Sequence, residues 1–480
     1  MSSSGSTSVS SAFFDHGSAQ RISTDTRIYE AIREAHPGVN VIDTDFYNAN
    51  ILGYVSATGD GSTSNLSNSS DISAFESNDS TDSINKKAFS SSLNHVEYLP
   101  PFRKLDGGNG ALAIDPIFDK FLVKWQNQEF LIYLVDARDG TAPWFQKRQF
   151  VLTSDTSAAF TLIKTAGSWQ NTLHGEIWVF DQGFWQKDAG LWQSIQKSNW
   201  ADIILPSDLK EDLLNTVQRF YDSRDTYKQL HVPWKRGLIF YGPPGNGKTV
   251  SIKATMKTLY DRADPVSTLY VKSLVSWAGP EYSISQIFAQ ARREAPCYLV
   301  FEDLDSLVTD QVRSFFLNAV DGLSQNEGIL MVGSTNHLDK LDPGIAKRPS
   351  RFDRKYLFPN PDLEQRTRYC ELWQRKLKDN KDIDYPDSLL KPIAKLMDGF
   401  SFAYMQEAFI STLLKLATDM EKVRRIEDLR KEISRWDLTD LEEEPVVIGV
   451  VNDDLEKYVL WREIKIQIAN LKKELDRGTE

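Results

Sequence analysis

The stretch GLIFYGPPGNGKTVSIKATMKTLY, Gly237 to Tyr260, decides the fold. GLIFY is an unbroken apolar run of strand length, the pattern of a strand buried on both faces. It leads directly into GPPGNGKT, and a helical stretch follows. This is the order strand, G-x-x-x-x-G-K-T, helix that a phosphate-binding loop requires. Gly242, Gly245 and Gly247 carry no Cβ, so backbone N–H groups can wrap around phosphate oxygens. Pro243 and Pro244 stiffen the loop, and Asn246 and Val250 complete the candidate nucleotide-contacting segment. Lys248 supplies an ammonium for the β and γ phosphates, and Thr249 offers a hydroxyl to Mg²⁺. The helix that follows adds the positive end of its dipole. The cofactors expected at this loop are ATP and Mg²⁺.

Around this segment, strand-like runs alternate with helical ones. GLIFYG, STLYVKS, CYLVFED, GILMVGSTN and KYLF are separated by stretches such as SISQIFAQARREA. Such alternation predicts an α/β domain whose largely parallel sheet carries helices on both faces, a P-loop NTPase sheet, over residues 198–360. Beyond Pro361 the chain reads as helices, so a small all-helical lid is expected over 361–440. Residues 441–480 read as an acidic loop, LEEEPVVIGVVNDD, and one amphipathic helix. Trp461, Ile464, Ile468, Leu471 and Leu475 fall on one face of that helix. It either lies on its own domain or binds a partner.

Upstream the pattern differs. Residues 1–24 are Ser-rich and read as disordered, 25–58 as a short structured segment, and 59–94 as a Ser/Asn-rich linker too poor in apolar residues to offset the entropy of ordering. Residues 95–197 read as a β-rich N-terminal domain built from FLVKW, FLIYLV, RQFVLTS, AAFTLIK and EIWVF. DGGNG at Asp106 to Gly110 lacks a following Lys-Ser/Thr and reads as a loop. Trp178, Trp185 and Trp192 fit core packing or an exposed recognition surface.

Composition sets the outer bounds. The 480 residues allow two or three domains, and 41% hydrophobic with 26% charged residues suits globular packing. A formal charge of −11 argues against nucleic acid as the partner, because phosphate backbones need a basic surface. Two cysteines and six histidines show no disulfide or zinc spacing. No apolar run approaches the ~20 residues of a membrane span, so no membrane insertion is expected. The Ser-rich opening lacks the pattern of a secretory signal, and cytosol or nucleus is the expected location.

Several further motifs occur in order: RREAPCYLVFEDLD, LNAVDGL, GSTNHLDKLDP, RPSRFDR, FPNPD and DGFSFAYMQEA. Together with the phosphate loop they resemble the AAA family of ATPases over roughly residues 200–417. The family usually ends its third strand in Asp-Glu, the first acid serving Mg²⁺ and the second the attacking water. Here the order is reversed. Pro296 fixes the register, so the resemblance places Glu302 in the metal position and Asp303 in the water position. Mg²⁺ accepts either acid, particularly through water. Asp303 reaches about 1 Å less far, and misplacement of that size can cost on the order of a hundredfold in rate. An active but slow Mg²⁺-dependent ATPase is therefore expected. The Glu-Asp order and the lead RGLIFYGPPG are similar to the branch containing the AAA chaperone of the mitochondrial bc complex, which carries a transmembrane helix not found here.

The resemblance also assigns Asn336 to the γ-phosphate or the water, and Arg348 and Arg351 to a neighbouring subunit's site. The spacing DPGIAKRPSR is one residue longer than the family's. That puts Arg348 in greater doubt than Arg351 and makes Lys347 a possible substitute. Arginines acting in trans imply a ring, usually a homo-hexamer. Trp277-Ala278-Gly279 in SLVSWAGPEYS matches the family's aromatic pore loop; otherwise Trp277 is a buried anchor of that loop. The function expected is ATP-driven remodelling or translocation of a protein partner through a central pore. The alternatives are a nucleotide-gated scaffold with very low turnover, or a nucleic-acid motor or loader on the same fold.

Overall fold

The computed structural model describes residues 23–65, 92–101, 109–138, 146–322, 326–348, 350–433 and 454–477. The Ser-rich opening up to residue 22, residues 66–91 of the expected linker, the first part of DGGNG and the acidic loop up to residue 453 lie outside them. The chain divides into two compact units, 1–173 and 174–480.

The first unit contains α1 (Thr24–Ala35), β1 (Asn40–Asp45), α2 (Ile51–Thr58), β2 (Gly61–Asn65), β3 (Leu93–Leu99), β4 (Ala111–Trp125), β5 (Gln128–Asp136), β6 (Lys147–Thr153) and α3 (Thr156–Asn171). Its antiparallel sheet runs β1-β6-β5-β4-β2, with β3 also paired to β4. Side chains alternate across it as a pleated strand requires. Phe130, Ile132 and Val151 meet α2 and α3 on one face. Leu131, Phe150 and Leu152 meet Ile32 of α1 on the other. AAFTLIK, expected as a strand, lies in α3. Asp155 caps that helix by accepting from the N–H groups of Ser157 and Ala158. Ala159, Leu162 and Ala166, at steps of three and four, bury its inner face.

The second unit contains β7 (Ile177–Asp181), β8 (Phe184–Asp188), α4 (Ala189–Gln196), α5 (Ser207–Asp222), β9 (Lys235–Tyr241), α6 (Lys248–Tyr260), β10 (Ser267–Val271), α7 (Pro280–Glu294), β11 (Cys297–Phe301), α8 (Arg313–Asp321), β12 (Ile329–Thr335) and β13 (Arg354–Leu357). Helices α9 (Leu363–Leu377), α10 (Leu390–Leu396), α11 (Phe402–Ile433) and α12 (Val459–Arg477) follow. The sheet order is β13-β9-β12-β11-β10-β7-β8, parallel from β13 to β7. Helices α7 and α8 cover one face through Ile284, Phe288 and Phe316. Helices α5 and α6 cover the other through Phe220, Ile252 and Met256. This is the α/β arrangement of a P-loop NTPase.

EIWVF therefore differs from its expected place in the β-rich domain. Trp178, Val179 and Phe180 of β7 pair in parallel with Leu269, Tyr270 and Val271. The boundary expected at 197/198 stands at 173/174, and the antiparallel sheet instead recruits β1 and β2 from upstream. Trp185 packs on Phe180, so core packing accounts for it.

The lid has its own core of Ile393, Met397, Phe400, Met405 and Phe409. Trp461, Ile464 and Ile468 of α12 are buried in that same core, so this helix lies on its own lid. Among the described residues no helix is long and apolar enough to cross a membrane.

Candidate active site

At the C-terminal edge of a parallel sheet, backbone N–H groups and helix starts converge, and ligands of open α/β folds bind there. Here β9 runs into the glycine loop and α6 begins at Lys248. Gly247, which precedes it, has φ 90°, a conformation open to glycine at little cost. A Cβ on Gly245, at φ 78°, would stand 2.5 Å from Cβ of Ala403 in the lid. The loop also takes a backbone hydrogen bond from the lid, Ala403 N–H to Gly245 O at 3.1 Å. Asn246 is buried. Its amide donates to Asn360 Oδ1 at 2.8 Å and accepts from Phe402 N–H at 3.4 Å. Its side chain thus ties the loop to the lid.

Pro244 to Val250 form one wall of a cleft of about 630 Å³, within the usual range of small-molecule sites. Asp303, Ser334 and Asn336 form a second wall at the ends of β11 and β12. Lys248 donates to the carbonyls of Gly242 at 2.7 Å and Pro243 at 2.9 Å. Burial lowers its pKa, and the negative charges of Asp303 and Asp305 partly offset that. Thr249 and Val250 are exposed.

The two adjacent acids diverge. Asp303 has a left-handed backbone, φ 49° and ψ 55°, and stands just before a short helix at Leu304–Leu307 without a side-chain hydrogen bond to it. Its N–H donates to Ser334 Oγ at 3.2 Å, and its exposed side chain faces the cleft. A non-glycine residue in that conformation carries strain of order 1–3 kcal/mol, commonly found at functional sites. Asn336 follows Thr335, whose hydroxyl donates to Asp305 Oδ1 at 2.7 Å. Glu302 is not in the cleft wall. It shares the face of Tyr298 and Val300, toward α6, and its Oε2 accepts from the Tyr270 hydroxyl. Burial, then the hydrogen bond to Glu302, push the Tyr270 pKa far up. Glu302 Oε1 is buried and has no hydrogen-bond partner.

That orphaned oxygen bears on whether Mg²⁺ fits. Among the described residues, no group of three or more His, Cys, Asp or Glu could hold a metal. Mg²⁺ instead favours few protein oxygens plus phosphate and water. An unpartnered carboxylate oxygen of Glu302 and the exposed hydroxyl of Thr249 are donors of that kind, so the residues fit.

Residues 238–360 match the family model for "ATPase family associated with various cellular activities (AAA)". Over those residues the chain is similar to an AAA-type ATPase domain. The match begins in β9 and ends at Asn360, just before the lid, so it takes in the whole cleft wall from Pro244 to Asn336.

The remaining candidates stand outside that cleft. Arg351 has only 6% of its side chain exposed. Its Nε donates to Asp321 Oδ1 at 2.8 Å, its Nη2 to Oδ2, and its Nη1 to Gly344 O at 2.8 Å. Arg348 has 58% of its side chain exposed and meets Asp321 at 3.5 Å, and Lys347 is exposed. Both arginines thus pair with Asp321 of their own subunit, Arg351 with its side chain buried and Arg348 with its side chain mostly exposed. Trp277 is 80% exposed, so it is not a buried anchor. Ala278 beside it is exposed, and Gly279 accepts from the Ser276 hydroxyl at 2.7 Å.

The rest of the cleft was not read from sequence. Ile203 and Ile204 precede α5, while Tyr369, Leu372 and Lys376 line one face of α9 with Phe402 and Gln406 beside them. These apolar and aromatic side chains suit a planar base. The signal available in sequence was the three-four spacing of Tyr369, Leu372 and Lys376, which only the fold brings to the glycine loop.

Proposed function

We propose that this AAA domain hydrolyses ATP with Mg²⁺ in a ring, and that the ring remodels or threads a protein partner. The observation carrying the reading is the convergence of Lys248, Asp303 and Asn336 on one cleft, with Arg348 and Trp277 exposed outside it. Backbone N–H groups of the glycine loop and Lys248 would hold the phosphates. Asp303 would accept hydrogen bonds from the attacking water and draw off its proton as the bond to the γ-phosphorus forms. Asn336, donor and acceptor at once, would orient that water or the γ-phosphate. The bond from γ-phosphorus to the bridging oxygen then breaks, and ADP leaves. Mg²⁺, when bound, neutralises charge on the β and γ oxygens, and Thr249 and Glu302 are the residues that would hold it.

Arg348, mostly exposed and only loosely paired with Asp321, would stabilise phosphoryl charge in a neighbouring subunit. Arg351, clamped by Asp321, would brace the segment that carries it. A head-to-tail contact of this kind closes into a ring, a homo-hexamer in the usual case. Trp277 would grip extended polypeptide by apolar contact largely independent of sequence. The Glu302-Asp303 order and the lead RGLIFYGPPG support kinship with the bc-complex chaperone branch.

A second reading, a nucleotide-gated scaffold with very low turnover, is favoured by the short reach of Asp303. Phosphate release by the purified chain, with and without unfolded polypeptide, tests both. Turnover stimulated by polypeptide supports the motor. Binding of ATP with turnover no faster than buffer supports the scaffold.

A further inference from the structure

Tyr270 carries an inference about how this site works with its acids reversed. In the parallel register of β10 and β11, Tyr270 stands opposite Val300, two residues before Glu302. Residues two apart share a face, so Tyr270, Val300 and Glu302 lie together on the α6 side of the sheet. The phenol donates to Glu302 Oε2, while Oε1 remains buried without a partner. One oxygen is thus committed to the protein and the other left over.

A glutamate has one more rotatable bond than the aspartate usual at this position. Unrestrained, its carboxylate would sample several positions, and a metal-bound water would have to select one. We propose that Tyr270 is a positioning residue that fixes the longer arm of Glu302 through Oε2 and so leaves Oε1 as the acceptor for a hydrated Mg²⁺. Tyr270 touches neither nucleotide nor metal in this scheme. The proposal rests on the reading of Glu302 as the metal acid. It adds that the Glu-for-Asp exchange at the strand end is matched by a hydroxyl on the neighbouring strand.

The test is calorimetric binding of a non-hydrolysable ATP analogue to the full chain over a series of free Mg²⁺ concentrations. No turnover is involved. Tyr270→Phe removes only the hydroxyl and keeps the packed ring. Loss of a partner that orients a metal ligand typically costs about 10- to 100-fold in metal affinity. Tyr270→Phe is therefore expected to raise the Mg²⁺ concentration for half-maximal coupling by about that factor, with Mg²⁺-free analogue affinity unchanged. Placed in a Glu302→Asp background, the same substitution is expected to shift it less than about threefold, because the shorter acid has no slack to restrain. A merely structural tyrosine would shift both backgrounds alike, and that result overturns the proposal. If Tyr270→Phe has no effect while Glu302→Gln does, Tyr270 is not a positioning residue but Glu302 remains the metal acid. If neither has an effect, the metal role of Glu302 falls as well, and the proposal with it.

Discussion

Arg351→Ala and Arg348→Ala, three residues apart, are expected to fail in different ways. Arg351 makes three guanidinium hydrogen bonds, two of them to one carboxylate. Breaking a fully buried ion pair costs about 3–5 kcal/mol, because the partner charge is stranded. The Asp321 side chain is 34% exposed, so water recovers part of that loss, and the net cost is about 2–3 kcal/mol. Arg351 lies in the unit 174–480, and at that size each kcal/mol moves Tm by roughly 1.5–2 °C, giving a fall of about 3–6 °C. Arg348 is mostly exposed and stands 3.5 Å from Asp321; such pairs contribute about 0–1 kcal/mol, so its Tm should move by about 2 °C or less. Scanning calorimetry of the full chain without nucleotide reads both. The hydrogen bonds from Arg351 hold the Asp321 pKa below its usual value. The stabilisation they confer is thus present above the ordinary aspartate pKa of about 3.9 and is lost as pH falls through the lower, folded-state value. The Tm gap between wild type and Arg351→Ala should accordingly begin to narrow as pH falls toward the ordinary aspartate pKa of about 3.9 and go on narrowing below it. An Arg351→Ala protein of unchanged Tm that has lost turnover would refute the assignment of Arg351 as a brace.

Two other outcomes follow from the cleft and its surroundings. Asp303→Asn is expected to lower kcat by about a hundredfold or more while retaining ATP, as loss of a general base does; filter binding and phosphate release read the two separately. Trp277→Ala is expected to leave basal ATP turnover within about twofold but remove its stimulation by unfolded polypeptide, as seen in a paired turnover assay.

The parts legible in sequence were those written in adjacent residues. Gly242 to Thr249 spell the phosphate loop, and the strand before and helix after are found as expected. Glu302 and Asp303 could be picked out as adjacent acids at a strand end, and the structure gives them different surroundings. Those surroundings were less legible, because the partner of Glu302 is a tyrosine on another strand. The same applies to RPSRFDR. Spacing there favours Arg351, and the difference in burial between the two arginines depends on Asp321, thirty residues upstream on α8. EIWVF was misplaced for a related reason: its strand partner, β10, follows about ninety residues later. AAFTLIK shows the other limit, a short apolar run whose period does not separate strand from helix until the Asp155 cap is considered.

The central claim is that one subunit's Lys248 and Asp303 work with the next subunit's Arg348. Mixing two inactive proteins tests it most directly. A Lys248→Ala protein keeps Arg348 but cannot hold the phosphates, and an Arg348→Ala protein keeps its cleft but lacks the arginine. In mixed rings, an Arg348→Ala cleft that faces a Lys248→Ala neighbour is complete. Equal random mixing should form such pairs at about one interface in four, so phosphate release should recover to roughly a quarter of wild type from two preparations with almost none. Co-assembled rings with no recovered turnover would contradict the account.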